Sequence, residues 1–328
     1  MRLPRLGPLP AARGAVAAGL ASLALFSGCG DSQARPDGPP AKPLRWAPPS
    51  LVDPLRVELG EGYTNTTLGP RTDARIVLPK HRKVGGMTIE GGHDIVIVGG
   101  EITVPPGGPP GVENDRYRTA IYIKGATGTV HVEGVHLQGT PGAVWDGIDI
   151  AAPEATVQLQ NIRVDGVTGG LHGFHADVVQ PWGGVADLRI SRLTASSNYQ
   201  GLMLPRDLGP IGRAEISRVN LRGLDREVDE GGHLIWLTSG SLTCLAYPVR
   251  MRGVYVRPRP DRRFGRSVWP EVGKPDACSA EKARGAVSWP ALPQVRGRVW
   301  NGSPRRGDFV PRGLAGLGYS SPGYADWR

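Results

Sequence analysis

From residue 85 onward, apolar side chains recur at every second position in short runs, and the runs are of two kinds. One is a single short strand, seen in "GMTIE" (86–90), "AIYIK" (120–124), "GIDIA" (147–151), "VVQPW" (178–182), "GLMLP" (201–205) and "LIWLT" (234–238). The other is a strand, a two-residue corner and a second strand, seen in "IVIVGGEI", "VHVEGVHL", "VQLQNIRV", "LRISRLTA", "AEISRVNL" and "VRMRGVYV". Period-two alternation predicts strands with one buried face. No helical pattern of 10–15 residues separates them, which excludes an α/β barrel. Aligned on Ile89, Ile121, Ile148, Val179, Leu202 and Ile235, the first kind is spaced by 32, 27, 31, 23 and 33 residues. The second kind, counted from Ile95, is spaced by 35, 27, 31, 26 and 35. The two series rise and fall together, as a fixed-order unit with loop insertions does. Three short strands in about 25–35 residues make one coil of a parallel β-helix, which buries its inward face only by stacking on its neighbours. Gly134, Asn161 and Gly253 fall at equivalent corners, where a left-handed backbone is cheap for Gly and tolerable for Asn. Arg192 and Arg218 at the same corner fit that rule less well.

The expected fold is therefore all-β: a parallel β-helix solenoid of about six or more coils over residues 51–258, with 52–84 adding an N-terminal cap. Residues 259–328, where Pro, Gly and Arg replace the alternation, form an irregular C-terminal cap protecting the last open edge. Gly and Pro together make 79 residues, yet they are interleaved with Val, Ile and Leu, which excludes a low-complexity chain.

Ahead of the repeat, Arg2, Arg5 and Arg13 precede an apolar run, Ala15 to Phe26, too short to span a bilayer comfortably. With "LFSGC" it resembles a bacterial lipoprotein signal over residues 1–28, which implies lipidation of Cys29 and a chain held outside the cytoplasm; an ordinary secretion signal is the alternative. Residues 29–50 read as a flexible tether. Loss of residues 1–28 would lower the formal charge from +9 to +6, and the excess is uneven: Arg250 to Arg312 carries fifteen Lys/Arg against five Asp/Glu. An anionic lipid or wall polymer suits that region, as does a plain solvated surface. Nucleic acid is excluded as a partner by export and by the lack of a binding motif. Beyond Cys29, Cys244 and Cys278 form an even pair suited to a disulfide in an oxidising compartment, with two buried thiols as the alternative.

Residues 85–258, beginning with "GGMTIEGGHDIVIVGGEI", resemble the right-handed parallel β-helix superfamily of pectate lyases, polygalacturonases and related polysaccharide enzymes. The resemblance implies an elongated solenoid with carbohydrate along one outer face, and it is specific for fold rather than chemistry. "WDGID" (145–149) resembles part of a polygalacturonase motif and "GLHGFH" (170–175) its histidine segment. The other acidic pair and the Arg-Lys segment of that motif are absent, so no role is carried over from it.

Stacking the first kind of strand places Thr88, Tyr122, Asp149, Gln180, Met203 and Trp236 in one outward column. Three residues earlier lie Gly85, Thr119, Asp146, Asp177, Gln200 and His233. The middle coils thus gather candidate catalytic groups, Asp177, His175, Asp146 and Asp149. Around them stand candidate binding residues, Tyr122, Lys124, Gln180, Trp182, Tyr199, Gln200, Arg206, His233 and Trp236. Aromatic rings suit pyranose faces, and Asp, Gln, Lys and Arg suit hydroxyls and carboxylates. Asp146 and Asp177, one coil apart, are expected to raise one another's pKa, keeping a general acid protonated, with His175 as base. No cofactor is expected, although a Ca²⁺ site on Asp146, Asp149 and Asp177 stays open. Two readings follow. In one, a membrane-tethered protein binds an acidic polysaccharide, with cleavage or epimerisation as the chemistry open to it. In the other, a non-catalytic wall-binding scaffold uses the same aspartates as a bend ladder.

Overall fold

In the computed structural model, the described residues are 43–107, 115–225, 232–238, 244, 247–274 and 278–324. The signal segment and Cys29 lie outside them. No helix among the described residues is long and apolar enough to cross a membrane.

The chain is an all-β parallel β-helix. Its first sheet stacks eight strands in sequence order: Thr64–Leu68, Met87–Gly91, Thr119–Lys124, the start of Asp146–Val167, Val179–Gln180, Leu202–Met203, Ile235–Trp236 and Val268–Trp269. The second sheet runs from Leu55–Glu58 through Ala74–Val77, Ile95–Val98, Thr129–Glu133, the middle of Asp146–Val167, Val185–Ser197, Ile211–Gly223 and Val249–Arg257. A shorter third set begins with Lys83–Val84, Glu101–Val104 and His136–Gly139. Aliphatic stacking closes the core. Met87, Ile121, Ile148, Val179, Leu202, Ile235 and Val268 lie one above another and are all buried, each contributing about 1.5–3 kcal/mol of apolar burial.

Two details differ from the sequence reading. Ile121 pairs with Met87 rather than with Ile89, which pairs with Ile123; the two-residue shift keeps the strand parity and sets Tyr122 directly against Thr88. The helix is also longer than the visible repeat. Residues 64–84 build a full coil, and beyond 258 the pairs Val268–Trp269, Val295–Arg296 and Val299–Asn301 continue both sheets.

Six consecutive corners after the second sheet are left-handed: Gly99 (φ 64°), Gly134 (67°), Asn161 (55°), Arg192 (59°), Arg218 (54°) and Gly253 (64°). The two arginines therefore carry the strain that the corner imposes. The C-terminal segment runs lengthwise down this edge, against the direction in which the coils advance. Phe309 N donates to Asn220 Oδ1 and Val310 N to Thr194 Oγ1, at 3.1 and 2.9 Å. Asn161 Nδ2 donates to the Tyr319 hydroxyl, which donates to Glu133, each at 2.9 Å. A Cβ on Gly134 would stand 2.1 Å from the Tyr319 ring, so only glycine fits beneath it.

Residues 43–50, read from the sequence as tether, lie instead against the second sheet. Arg45 N and Trp46 N donate to Gln160 Oε1, whose amide nitrogen donates back to Trp46 O at 2.7 Å. Arg45 also pairs with Glu215. Cys244 and Cys278 are joined, with Cα atoms 5.6 Å apart and 34 residues of sequence separation.

Candidate functional site

The outward column of the first sheet forms the floor of a cleft of about 940 Å³. Tyr122, Asp149 and Gln180 rise from it on successive strands. Asp146 and Thr119 line it from the first positions of their strands, and Trp182 from the turn after Gln180. The loop between Val167 and Val179 folds over one side and contributes Gly173, Phe174 and His175; Leu208 and Arg118 complete the wall. The Tyr122 and Trp182 rings lie 6.1 Å apart and tilted by only 31°, and Trp182 is 42% exposed. Together they present a broad apolar face of the kind that a sugar ring covers.

Beneath the rings the floor is acidic. Asp149 is nearly buried. Thr119 Oγ1 donates to its Oδ2 at 2.9 Å, and its Oδ1 has no partner. Burial pushes this carboxyl up to about 7, with the Thr119 hydrogen bond working against the rise. Asp177 sits one coil further on and wholly below the surface, with neither carboxyl oxygen hydrogen-bonded. Burial, with the charge of Asp149 added, raises it well above the ordinary carboxylate range. Asp146 differs: its Oδ1 accepts the backbone N–H of Asp177 at 2.5 Å, so it anchors the bend as well as lining the cleft. The charge that adds to the burial of Asp177 is that of Asp149. Tyr122, half-buried and facing Asp149, is pushed up to about 12, first by burial and then by that charge.

His175 is exposed at the cleft wall, its ring 5.6 Å from that of buried Tyr199. Its Nε2 lies 2.9 Å from Leu171 O. A carbonyl only accepts, so Nε2 donates here, and the neutral form of the ring has its lone pair on Nδ1.

Other expected residues stand apart. Lys124 pairs with Glu90 at 2.7 Å and does not line the cleft. Arg206 is exposed outside it. Gln200 is buried, its Oε1 unbonded. His233 and Trp236 join Trp269 further along the first sheet, at 5.2 to 6.2 Å between ring centroids, with Lys274 Nζ 3.9 Å above Trp269. Burial first, then nearby arginines, drop His233 to about 3; with Nδ1 on Arg266 O it is a packed, neutral ring. The cation that does reach the cleft is Arg118, 5.3 Å from the Phe174 ring. Sequence reasoning missed both. Arg118 directly precedes Thr119 of the stacked column, and Phe174 directly precedes His175, so adjacency to the column was the available signal.

The calcium expectation is not met by this geometry, because Asp177 lies under the floor and Asp146 is engaged with the Asp177 N–H. Among the described residues, three ligand-type side chains converge within 4.8 Å at Asp73, His93 and Asp94, at the bend entering the second sheet. That group is knitted by hydrogen bonds: Asp73 Oδ1 accepts from His93 Nδ1 and Asp94 N, both at 3.1 Å, and its Oδ2 accepts from Val52 N at 2.7 Å. A ring nitrogen that donates to a carboxylate has no lone pair left there for a metal.

No family model, no curated protein and no solved structure matches this chain.

Proposed function

We propose that the cleft binds a uronic-acid polysaccharide outside the cytoplasm and cleaves it by acid/base chemistry. In this reading Cys29 holds the chain to the membrane. The observation that carries the proposal is Asp149, a carboxyl held near 7 by burial at the floor of a cleft walled by two flat aromatic rings. A group titrating there is protonated in a substantial fraction of molecules at neutral pH and ionises readily, as a proton donor to a leaving glycosidic oxygen must. His175 Nδ1 is the base, and Arg118 answers the uronate carboxylate. In an elimination, Nδ1 takes the C5 proton, the C4–C5 double bond forms, the C4–O bond breaks, and Asp149 protonates the departing oxygen. Passage of the proton from imidazolium to aspartate through water restores both groups. Tyr122 and Trp182 hold the sugar ring, and Gln180 addresses its hydroxyls.

A non-catalytic binding scaffold is the second reading, supported by the Asp146 bond to the Asp177 backbone, which belongs to architecture. The test incubates the full chain with polygalacturonate, alginate and chondroitin sulfate, following unsaturated-uronate absorbance and new reducing ends together. Absorbance that Asp149→Asn abolishes supports elimination. Reducing ends alone assign hydrolysis to the same acid, and silence with retained polymer binding leaves the scaffold.

A further inference from the structure

The outer face of the second sheet carries a different chemistry. On its last four strands, Arg189, Glu215, Arg250 and Arg296 stack directly on one another. Asp187 opposes Arg213, and Ser217 opposes Arg252. The carboxylates are taken: Asp187 by Arg189 and Arg213 at 2.7 and 2.6 Å, and Glu215 by Arg45. Arg250, Arg252 and Arg296 are exposed and have no carboxylate partner among the described residues. Arg250 and Arg296 are direct register partners, and like charges directly opposite in a sheet destabilise it. The sheet therefore holds three uncompensated cations where an anion would lower its energy.

These cations line two depressions, of about 400 and 290 Å³, that share Glu215 and Arg250. The segment at residues 43–50 forms one wall, placing half-exposed Trp46 in the first depression and Arg45 in the second. Guanidinium groups bind carboxylates and sulfates through paired N–H donors, and an indole offers a flat face to a sugar ring. The same combination excludes a bilayer as the better occupant. A planar surface meets rims rather than depressions, and the lining holds no exposed large aliphatic side chain to insert.

We propose that this groove is a second, non-catalytic binding site for a linear anionic polysaccharide, on a different sheet from the cleft. The identity of the polymer rests on the function proposed above, while the site itself does not need the cleft to be active.

The experiment uses the full chain carrying Asp149→Asn, so that no polymer is consumed, and measures binding of polygalacturonate, heparin and neutral dextran against rising salt. Phosphatidylglycerol vesicles form a separate arm. With Arg250→Ser, Arg252→Ser and Arg296→Ser added, affinity for the two polyanions is expected to fall by about tenfold or more and to lose much of its salt dependence. Dextran binding is expected to stay unchanged. On the wild-type background the same three changes should leave cleavage of a short oligosaccharide untouched. Polyanion affinity unaltered by the three changes overturns the proposal, and so does a loss confined to the vesicles, which would mark a membrane-facing patch. Should the triple variant fail to fold, the exposed single changes Arg252→Gln and Arg296→Gln carry the same test. Arginine-dependent binding in a protein that cleaves nothing defeats the proposed function and leaves this site standing; cleavage with arginine-independent binding does the reverse.

Discussion

Asp73 and Asp177, at two bends of the same solenoid, have reached opposite electrostatic states. At the bend entering the second sheet, Asp73 and Asp94 stack, and each is fed by the backbone of its neighbour: Asp94 N donates to Asp73 Oδ1, and Thr129 N to Asp94 Oδ1 at 2.7 Å. Burial alone would push Asp73 up, but the N–H groups of Val52 and Asp94 and the His93 ring together hold it below the ordinary value. At the bend entering the first sheet, Asp146 receives the Asp177 N–H, and there the ladder stops. Gln200 N, one coil on, donates to Ala176 O at 3.3 Å, and the Asp177 oxygens are left without donors. Stacked aspartates do not by themselves make an ionised ladder or a catalytic pair. The supply of N–H donors decides which.

That contrast can be broken most severely through activity. Asp149→Asn is expected to reduce polymer cleavage by about 10²–10⁴-fold, while Asp73→Asn leaves it within experimental error. Equal loss in both variants would mean that the cleft carboxyl acts only by holding the fold.

Stability gives the next largest effect, with the order reversed. Asp73→Ala strands the N–H groups of Val52 and Asp94 and should cost about 1–3 kcal/mol in urea unfolding. Asp149→Asn, which removes a carboxyl whose ionisation burial opposes, should cost less at pH 8 or raise the midpoint.

The pH dependence of melting sharpens the same difference, because the cleft carboxyls and Asp73 have opposite signs. For Asp149 the folded pKa, about 7, lies above the unfolded one. Between roughly pH 4 and 7 the folded state binds the extra proton, so this contribution is full in acid and is lost as pH rises through 7. Asp73, with its folded pKa lowered, contributes above the unfolded pKa and loses that contribution as pH falls through the folded one. Wild-type stability should therefore decline from pH 5 to 8, the double variant Asp149→Asn/Asp177→Asn should flatten that decline, and Asp73→Asn should flatten only the acid limb. A decline that survives in the double variant would assign it to other groups.

The smallest expected effect is Thr119→Val. It removes the hydrogen bond that moderates Asp149, so the basic limb of the activity profile should move upward by about half to one pH unit. A downward move would contradict the assignment of Asp149 as the acid.

The coils between residues 85 and 258 were legible because each contributes enough alternating aliphatics to show a period. The terminal coils were not. Val268–Trp269 offers two paired residues, separated from Val295–Arg296 by a long excursion that includes the Glu281–Ala283 and Ala286–Ser288 hairpin. For the cleft, strand parity brought Tyr122, Asp149 and Gln180 to one face. Parity is silent about what arrives from loops, and that is where Arg118 and Phe174 come from. It is equally silent about competition, and so Lys124, on the right face, is spent on Glu90. Asp146 and Asp177 occupy one column and read alike as sequence; they differ through a hydrogen bond that the following coil either makes or withholds.

The C-terminal segment along the left-handed corners has a further consequence. An open solenoid can gain or lose a repeat in evolution, because each coil meets only its neighbours. Here Tyr319 must meet Gly134, Asn161 and Glu133 while Phe309 and Val310 meet Asn220 and Thr194. Deleting any coil between those points would slide one set of contacts past the other by about 4.8 Å, carrying the Tyr319 ring from the Gly134 corner to that of Gly99 and its hydroxyl from Glu133 to Val98, the register partner of Glu133. The segment acts as a ruler. It ties the number of coils in a repetitive protein to the length of one unrepeated stretch, and the gene cannot change either without changing both.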